Sequence, residues 1–299
     1  MRYSEDGGIK MNDRENENIL IGKIRYSNVW PVFHYFDVTR LPQASQLVTE
    51  VPSKLNRRML GGTLDISPVS SFAYGYGSDR FLLLPDLSVS SDGPVNSILL
   101  FSRKPPEQIA NGRIALTNTS ATSVNLLKII MEKAYGGKPQ YWDSEPDLDA
   151  MMAESDGALL IGDHAIEASW RDHGFIATDL GEVWKSWTGY GMTFAVWAVQ
   201  REFAETNGDY LAEVTEAFVD SKRKSLSDVS PLVAKACAEI GGTTDYWRHY
   251  FKQNIRYDFN ESHRQGLSLY FDYAYEMGLL DHRVELEIWS HNSLTRVKE

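Results

Sequence analysis

The sequence contains one cysteine, no long apolar run and no excess of basic residues. Cys237 has no partner for a disulfide within the chain, and the run LVAKACAEI around it predicts a helix in which it is a small buried side chain. Residues 1–18 are polar and charged, without the apolar core of an export signal. Because no segment is apolar enough to span a bilayer, we expect a cytoplasmic protein that contacts no membrane and begins with a flexible extension over 1–18.

The chain of 299 residues carries 41 acidic and 30 basic side chains, a formal net charge of -11. A nucleic-acid-binding surface needs a basic face that replaces counterions, so this balance predicts no nucleic-acid partner. An anionic ligand would have to be held by local hydrogen-bond donors, because the overall field repels it. The sequence also lacks a glycine-rich dinucleotide motif, a phosphate-binding loop and spaced cysteines and histidines, so we expect no cofactor and no metal.

Two polar segments each lie between an apolar, strand-like run and a helical run: residues 26–31 (YSNVWP) and residues 117–123 (TNTSATS). Hydroxyl and amide side chains at such a junction add donors to the free backbone N–H groups at the positive end of a helix dipole. The two segments together predict one small anionic molecule held between two lobes.

Short apolar strands alternate with helical patterns over the first two thirds of the chain, which predicts an α/β fold with largely parallel sheets. The predicted strands are 19–25, 46–51, 64–69, 81–85, 96–102, 113–117, 158–162 and 192–199. From residue 201 onward the patterns are helical only.

Glycine-rich or proline-rich entries into strands at 92–97 and 188–192 are typical of a two-strand hinge. We therefore expect one discontinuous lobe built from 19–102 plus 191–299 and a second lobe from 103–190.

Six ordered motifs carry a resemblance to a known family. They are SNVWP (27–31), LDISPVSSFAY (64–74), SDGPVNSILLFSR (91–103), TNTSATSVNLLKII (117–130), GALLIGDHA (157–165) and DLGEVWKSWTGYGMTFAVW (179–197). With these motifs the chain resembles the chorismate dehydratases of the futalosine route to menaquinone, the MqnA type of the MqnA/MqnD family. The resemblance implies a two-lobed type II periplasmic-binding-protein-like fold with two hinge crossings and a C-terminal helical segment.

The reaction implied by the resemblance is the loss of water from chorismate, a small dicarboxylate, to give 3-[(1-carboxyvinyl)oxy]benzoate. This is a carbon–oxygen lyase (hydro-lyase) step that needs no redox cofactor. Asn28 matches the family's catalytic asparagine. An amide is a poor base, so we expect Asn28 to position the substrate, a water or the leaving hydroxyl, while the proton goes to a water or to a substrate carboxylate. The alternative is that Asn28 only caps the following helix.

We expect small polar side chains of both lobes to bind the substrate. Thr119, Ser120, Thr122 and Ser123 form the second predicted anion site, with helix capping as the alternative for each hydroxyl. Further candidates lie beside Asn28, after the strand 64–69 and at the first crossing, namely Ser27, Ser70, Ser71, Ser91, Asn96 and Ser97.

Asp163 and His164 follow the predicted strand 158–162 and open a helix, which makes them further candidates for the substrate site. An aspartate at such a place commonly caps the helix, whereas a histidine can act as a general acid. Trp184, Trp187 and Trp197 have the size to stack on a ring, but their spacing near the second crossing favours packing.

One segment departs from the family pattern. Residues 190–194 (YGMTF) stand where the family usually has a Leu-Pro-Phe-like segment, which affects the second hinge. Two other functions stay open: the sister enzyme, a 1,4-dihydroxy-6-naphthoate synthase, and a non-catalytic protein that binds a small anion. The SNVWP and TSATSVNLL segments favour the dehydratase, and the sequence is compatible with a monomer or a homodimer.

Overall fold

The protein is described by a computed structural model over residues 18–291, in which helices pack around two five-stranded sheets. The strands are β1 (Ile19–Ile24), β2 (Ser45–Glu50), β3 (Ile66–Ser70), β4 (Phe81–Ser91), β5 (Ile98–Ser102), β6 (Arg113–Thr117), β7 (Gln140–Ser144), β8 (Gly157–Ile161), β9 (Ile176–Asp179) and β10 (Met192–Gln200). The predicted α/β architecture is confirmed. The predicted flexible extension falls outside the described residues, except for residue 18.

Twelve α-helices lie within residues 18–291. They are α1 (Trp30–Phe33), α2 (Pro52–Leu60), α3 (Ser71–Tyr76), α4 (Ala121–Ile129), α5 (Leu148–Ala153), α6 (Gly162–Ser169), α7 (Leu180–Thr188), α8 (Arg201–Thr206), α9 (Gly208–Ser227), α10 (Ser230–Glu239), α11 (Thr244–His249) and α12 (Glu261–Glu276). Short 3-10 turns lie at Ser27–Val29, Val38–Arg40 and Pro106–Gln108, and π turns extend α4 over Ile130–Ala134 and α11 over Tyr250–Asn254. None of the helices between residues 18 and 291 is long and apolar enough to cross a membrane.

The first sheet has the strand order β2-β1-β3-β10-β4 and forms the first lobe with the C-terminal helices. β1 pairs in parallel with β2 and β3, as expected for strands joined by helical crossovers. β10 inserts between β3 and β4 and is antiparallel to both. Every residue of β10 is buried, so this strand is the centre of the lobe's core.

The second sheet has the order β7-β6-β8-β5-β9 and forms the second lobe. β6 is parallel to β7 and β8, whereas β5 is antiparallel to β8 and β9. The prediction of largely parallel sheets is therefore wrong for the crossing strands. β5 and β10 enter their sheets directly from the other lobe, so they run opposite to the strands joined by helical crossovers within one lobe.

The first boundary between the lobes differs from the predicted one. The sequence pattern places residues 98–102 in the first lobe, but β5 pairs along its whole length with β8 and shares hydrogen bonds with β9. Its apolar side chains are buried in the second lobe's sheet, so the crossing lies before Ile98. The strands β7 and β9 are absent from the predicted set. They are the two edges of the second sheet, and their half-exposed residues lack the apolar run by which a buried strand is identified.

The C-terminal residues from 201 onward form the predicted helices α8 to α12 and pack on both lobes. α12 contacts α3 and β10 in the first lobe and α4 in the second. Cys237 on α10 is half-buried rather than buried.

Candidate functional site

A cavity lies between the two sheets, where the ends of several strands and helices meet. It encloses about 470 Å³ of space between the atoms, partly open to solvent. Its walls are formed by Ile24, Tyr26, Asn28, Pro52, Ser70, Val89, Val95, Ser97, Ile98, Ser120, Ser123, Ile161, Gly162, Phe194 and Ala195.

Asn28 lies in the 3-10 turn Ser27–Val29 that joins β1 to α1. The N-cap of α1 is Val29, and no side chain makes a capping hydrogen bond there, so the alternative that Asn28 only caps this helix is wrong. The Oδ1 atom of Asn28 is buried and has no hydrogen-bond partner among the described residues. A buried carbonyl oxygen without a partner is costly, so the Asn28 amide is available to a bound molecule.

The second polar segment forms the N-terminus of α4. Ser120 is the N-cap, since its Oγ accepts a hydrogen bond from the Ser123 backbone N–H at 3.3 Å, and both serines line the cavity. Thr119 is buried, and its hydroxyl lies 2.8 Å from that of Thr117. Thr122 points away from the cavity, and its Oγ1 accepts a hydrogen bond from Phe72 N–H on the first lobe at 3.0 Å.

The junction of β3 and α3 places one of its two serines on the cavity wall. Ser70 caps α3 by accepting from Ala73 N–H, and it also accepts a hydrogen bond from the Asn56 side chain at 2.9 Å. Ser71 is fully buried, and its hydroxyl donates to the carbonyl of Thr193 on β10 at 2.7 Å. Ser70 therefore lines the cavity, while Ser71 joins α3 to the central strand.

Of the three candidates predicted at the first crossing, Ser97 lines the cavity and Ser91 and Asn96 do not. The Ser97 hydroxyl is 3.4 Å from the Val95 carbonyl, which leaves it a weak partner within the protein. Ser91 donates to the Gly93 carbonyl, and Asn96, whose φ of 58° is left-handed, donates from its amide to Asn254. Both side chains shape the hinge.

Asp179, the N-cap of α7, holds the two crossings together. Its carboxylate accepts hydrogen bonds from the backbone N–H groups of Val95, Asn96, Gly181 and Glu182. Burial raises the pKa of Asp179, and these four donors oppose the shift. An aspartate just before a helical run indicates the cap of α7, but nothing in the sequence indicates the contacts of Asp179 with residues 95 and 96.

Asp163 is the second residue of α6 and bonds to the first lobe rather than facing the cavity. Its carboxylate accepts hydrogen bonds from the Ser27 backbone N–H at 3.2 Å and from the Ser27 hydroxyl at 2.5 Å. Burial raises the pKa of Asp163, and the Ser27 bonds oppose that shift. His164 is exposed and contacts the edge of the Tyr26 ring, with 6.1 Å between the ring centroids.

The tryptophans predicted to pack do not line the cavity. Trp184 and Trp197 are fully buried in the core. Trp187 stacks on Tyr273 of α12, with the ring centroids 5.2 Å apart.

The cavity wall is neutral. Its polar side chains are the Tyr26 hydroxyl, the Asn28 amide and four serines, and none of the lining residues is Asp, Glu, His, Lys or Arg. No group of three or more His, Cys, Asp or Glu side chains within residues 18–291 is arranged to hold a metal ion. The arrangement can accept a small anion through hydrogen bonds and helix N-termini, without a salt bridge.

The apolar and aromatic part of this wall was not predicted from the sequence. Tyr26 is almost fully buried, and its hydroxyl has no hydrogen-bond partner among the residues described. Phe194 comes from the segment that departs from the family pattern. The position of Tyr26 at the start of YSNVWP was a signal that could have identified it, but nothing local indicates that Phe194 faces a cavity.

The sequence and the structure of the chain are similar to those of known proteins. The chain is 32% identical over 266 residues to a chorismate dehydratase from Thermus thermophilus, covering 84% of this chain and 93% of that protein. Among solved structures, one of a protein from Archaeoglobus fulgidus gives a TM-score of 0.71 at 18% identity, with 88% of this chain and 98% of that chain covered. The periplasmic aliphatic sulphonate binding protein of Escherichia coli gives 0.67 at 16% identity, with 92% of each chain covered.

The likeness to the sulphonate binding protein confirms the predicted periplasmic-binding-protein-like fold. The profile described as menaquinone biosynthesis matches residues 19–276, nearly the whole described chain. The chain therefore belongs to the menaquinone biosynthesis family.

Proposed function

We propose that this protein is a chorismate dehydratase, which removes water from chorismate to give 3-[(1-carboxyvinyl)oxy]benzoate. The observation that carries the proposal is the unpartnered Asn28 amide oxygen on the cavity wall, in a chain that is 32% identical to a chorismate dehydratase. The proposal extends to the substrate, a dicarboxylate, and to its place between the two lobes.

The neutral donors of the cavity suit a dianionic substrate in an acidic protein. Ser120 and Ser123 lie at the N-terminus of α4, where free backbone N–H groups and the helix dipole attract a carboxylate. Ser70 and Ser97 offer hydroxyls from the first lobe and the crossing. Because these donors are neutral, they bind a carboxylate without the cost of burying an unpaired cation before the substrate arrives.

The chemistry divides between the substrate and the amide of Asn28. The elimination breaks one ring C–H bond and the bond from the adjacent carbon to the hydroxyl, and the electron pair of the C–H bond completes the aromatic ring. Since no lining side chain is an ordinary base, the proton passes to a water or to a substrate carboxylate. The Asn28 amide positions the leaving hydroxyl or that water.

The test is to incubate purified protein with chorismate and to follow substrate loss and product formation by chromatography with mass detection. Formation of the benzoate product together with one water supports the proposal. Binding of chorismate without turnover would instead indicate a small-anion-binding protein, and no response to chorismate would indicate the sister enzyme of the pathway.

The variant Asn28→Ala is expected to lower kcat by at least about 100-fold, as loss of a positioning contact does. Asn111→Ala is the matched control, because the Asn111 amide is exposed and accepts a hydrogen bond from Lys138 N–H outside the cavity. Full turnover by Asn28→Ala would contradict the role given to Asn28.

A further inference from the structure

We propose that Asp163 is a positioning residue that acts through Ser27 to hold the turn carrying Asn28, and that it does so only when the two lobes are closed. The inference deepens the proposed function and rests on it for its catalytic readout. Asp163 itself does not line the cavity.

Asp163 engages both hydrogen-bond donors of Ser27. The carboxylate accepts hydrogen bonds from both the backbone N–H and the hydroxyl of this fully buried serine. The remaining polar atom of Ser27, its carbonyl, accepts a hydrogen bond from Trp30 N–H. Asn28 lies between Ser27 and Trp30, so the position of its amide follows from these bonds.

Ser27 and Asp163 belong to different lobes. Ser27 follows β1 of the first sheet, whereas Asp163 follows β8 of the second, and 136 positions separate them in the chain. The bonds exist only while the lobes are in contact. Closure and the placement of Asn28 are therefore coupled, which is a form of induced fit.

The Asp163 carboxylate is partly desolvated and has no cationic partner among residues 18–291 to offset the free-energy cost. No lysine or arginine of the described chain forms an ion pair with Asp163; Glu167 and His164 of its own helix are the charged or titratable side chains near it, and the Tyr26, Tyr246 and Tyr250 phenols face it from the first lobe. Asp163 is half-buried, and a partly desolvated carboxylate that is matched mainly by a serine is less stable than an apolar contact. The carboxylate also lies in the first turn of α6, where the helix dipole favours a negative charge, so the role in catalysis rests on the bonds to Ser27 and is tested through kcat.

The experiment compares Asp163→Ala, Asp163→Asn and Ser27→Ala with the wild-type protein. Asp163→Ala is expected to lower kcat by about 10- to 100-fold with KM changed by less than about threefold, because the donors that line the cavity remain. Asp163→Asn keeps one acceptor oxygen and is expected to retain an intermediate kcat. The kcat of the double variant Ser27→Ala/Asp163→Ala should lie within about twofold of the kcat of Asp163→Ala, because both residues act through one contact.

Glu276→Gln is the matched control. It removes another contact between the lobes, the exposed ion pair of Glu276 on α12 with Lys133 in the π turn after α4, at 2.7 Å. This ion pair does not involve Ser27. We expect this variant to keep the wild-type kcat. If Glu276→Gln lowered kcat as much as Asp163→Ala, a general loss of closure would explain both and the positioning role would be overturned.

A second readout is independent of chorismate. Hydrogen exchange of the Ser27 amide, measured by NMR or by mass spectrometry of the peptide that contains it, should be at least about tenfold faster in Asp163→Ala than in the wild type. Unchanged exchange, or an Asp163→Ala variant with the wild-type kcat, would overturn the inference. If the wild-type protein does not convert chorismate but the Ser27 amide exchanges faster in Asp163→Ala, the proposed function is contradicted. The coupling of the lobes would then still stand.

Discussion

Gly162 lies against the ring of Tyr26 across the cleft, so closely that an added methyl group would press on the ring. A Cβ atom on Gly162 would lie 3.0 Å from the ring carbons, and the φ of Gly162, +60°, is left-handed. The second lobe thus approaches the first with bare backbone at the residue before Asp163.

The substitution Gly162→Ala is expected to hold the lobes apart and to lower kcat/KM by at least about tenfold. Gly136→Ala is the control, because Gly136 has a φ of +64° and no atom lies within 4 Å of the place that an added methyl group would take, so it reports the backbone strain alone. Both variants should lose about 1 kcal/mol of unfolding free energy from that strain. Equal kcat/KM values for the two variants would show that the contact with Tyr26 does not matter.

The Tyr26 hydroxyl is buried on the cavity wall without a hydrogen-bond partner among the described residues. Tyr26→Phe removes this unsatisfied group and should raise the unfolding free energy of the ligand-free protein by about 1 kcal/mol. If the substrate supplies the missing partner, the same variant should raise KM by about tenfold. Urea unfolding and steady-state kinetics measure the two effects. A Tyr26→Phe variant that is less stable than the wild type and has an unchanged KM would contradict both expectations.

Asp163 should make the protein less stable as the pH rises. The pKa of Asp163 is raised by burial above its ordinary value of 3.8, so the folded state binds the proton more tightly than the unfolded state. Between these two pKa values the unfolding free energy therefore falls with increasing pH, and the loss persists at neutral pH. Asp163→Asn should remove this contribution and be at least as stable as the wild type at pH values of about 7. Urea unfolding across the acidic range tests the sign, and a variant that loses stability at neutral pH would contradict it.

Asp179 should be important for stability at the hinge. Its carboxylate accepts hydrogen bonds from four backbone N–H groups, and Asp179→Ala would remove the partner of all four, of which those of Val95 and Gly181 belong to buried residues. We expect a loss of about 2–4 kcal/mol in unfolding free energy, whereas Asp172→Ala at an exposed position should change it by less than about 0.5 kcal/mol. Similar values for the two variants in urea unfolding would show that water replaces the carboxylate.

The local junctions of the site could be predicted from the sequence, but their partners could not. Asn28 and Ser120 stand at a strand-to-helix change that short-range patterns indicate, and both line the cavity. Whether a hydroxyl faces a ligand or another part of the protein depends on distant residues. Ser71 bonds to Thr193, and Thr122 bonds to Phe72, over 122 and 50 positions respectively.

The fold was predicted best where burial makes the apolar pattern continuous. β8 and β10 are fully buried and were identified within a residue or two of their ends. The edge strands β7 and β9 lack that pattern because one side of each is open to solvent, and the sheet to which β5 belongs is decided by pairing with β8 and β9 rather than by its own residues.

The position of β10 determines when the first lobe can be completed during synthesis. This strand emerges from the ribosome after the whole second lobe, yet it lies between β3 and β4. Until then the sheet has a gap where its most buried strand belongs, with one open edge on β3 and another on β4. The sheet of the first lobe can therefore be completed only after a strand that follows β4 by about a hundred residues, whereas all strands of the second sheet are made before β10.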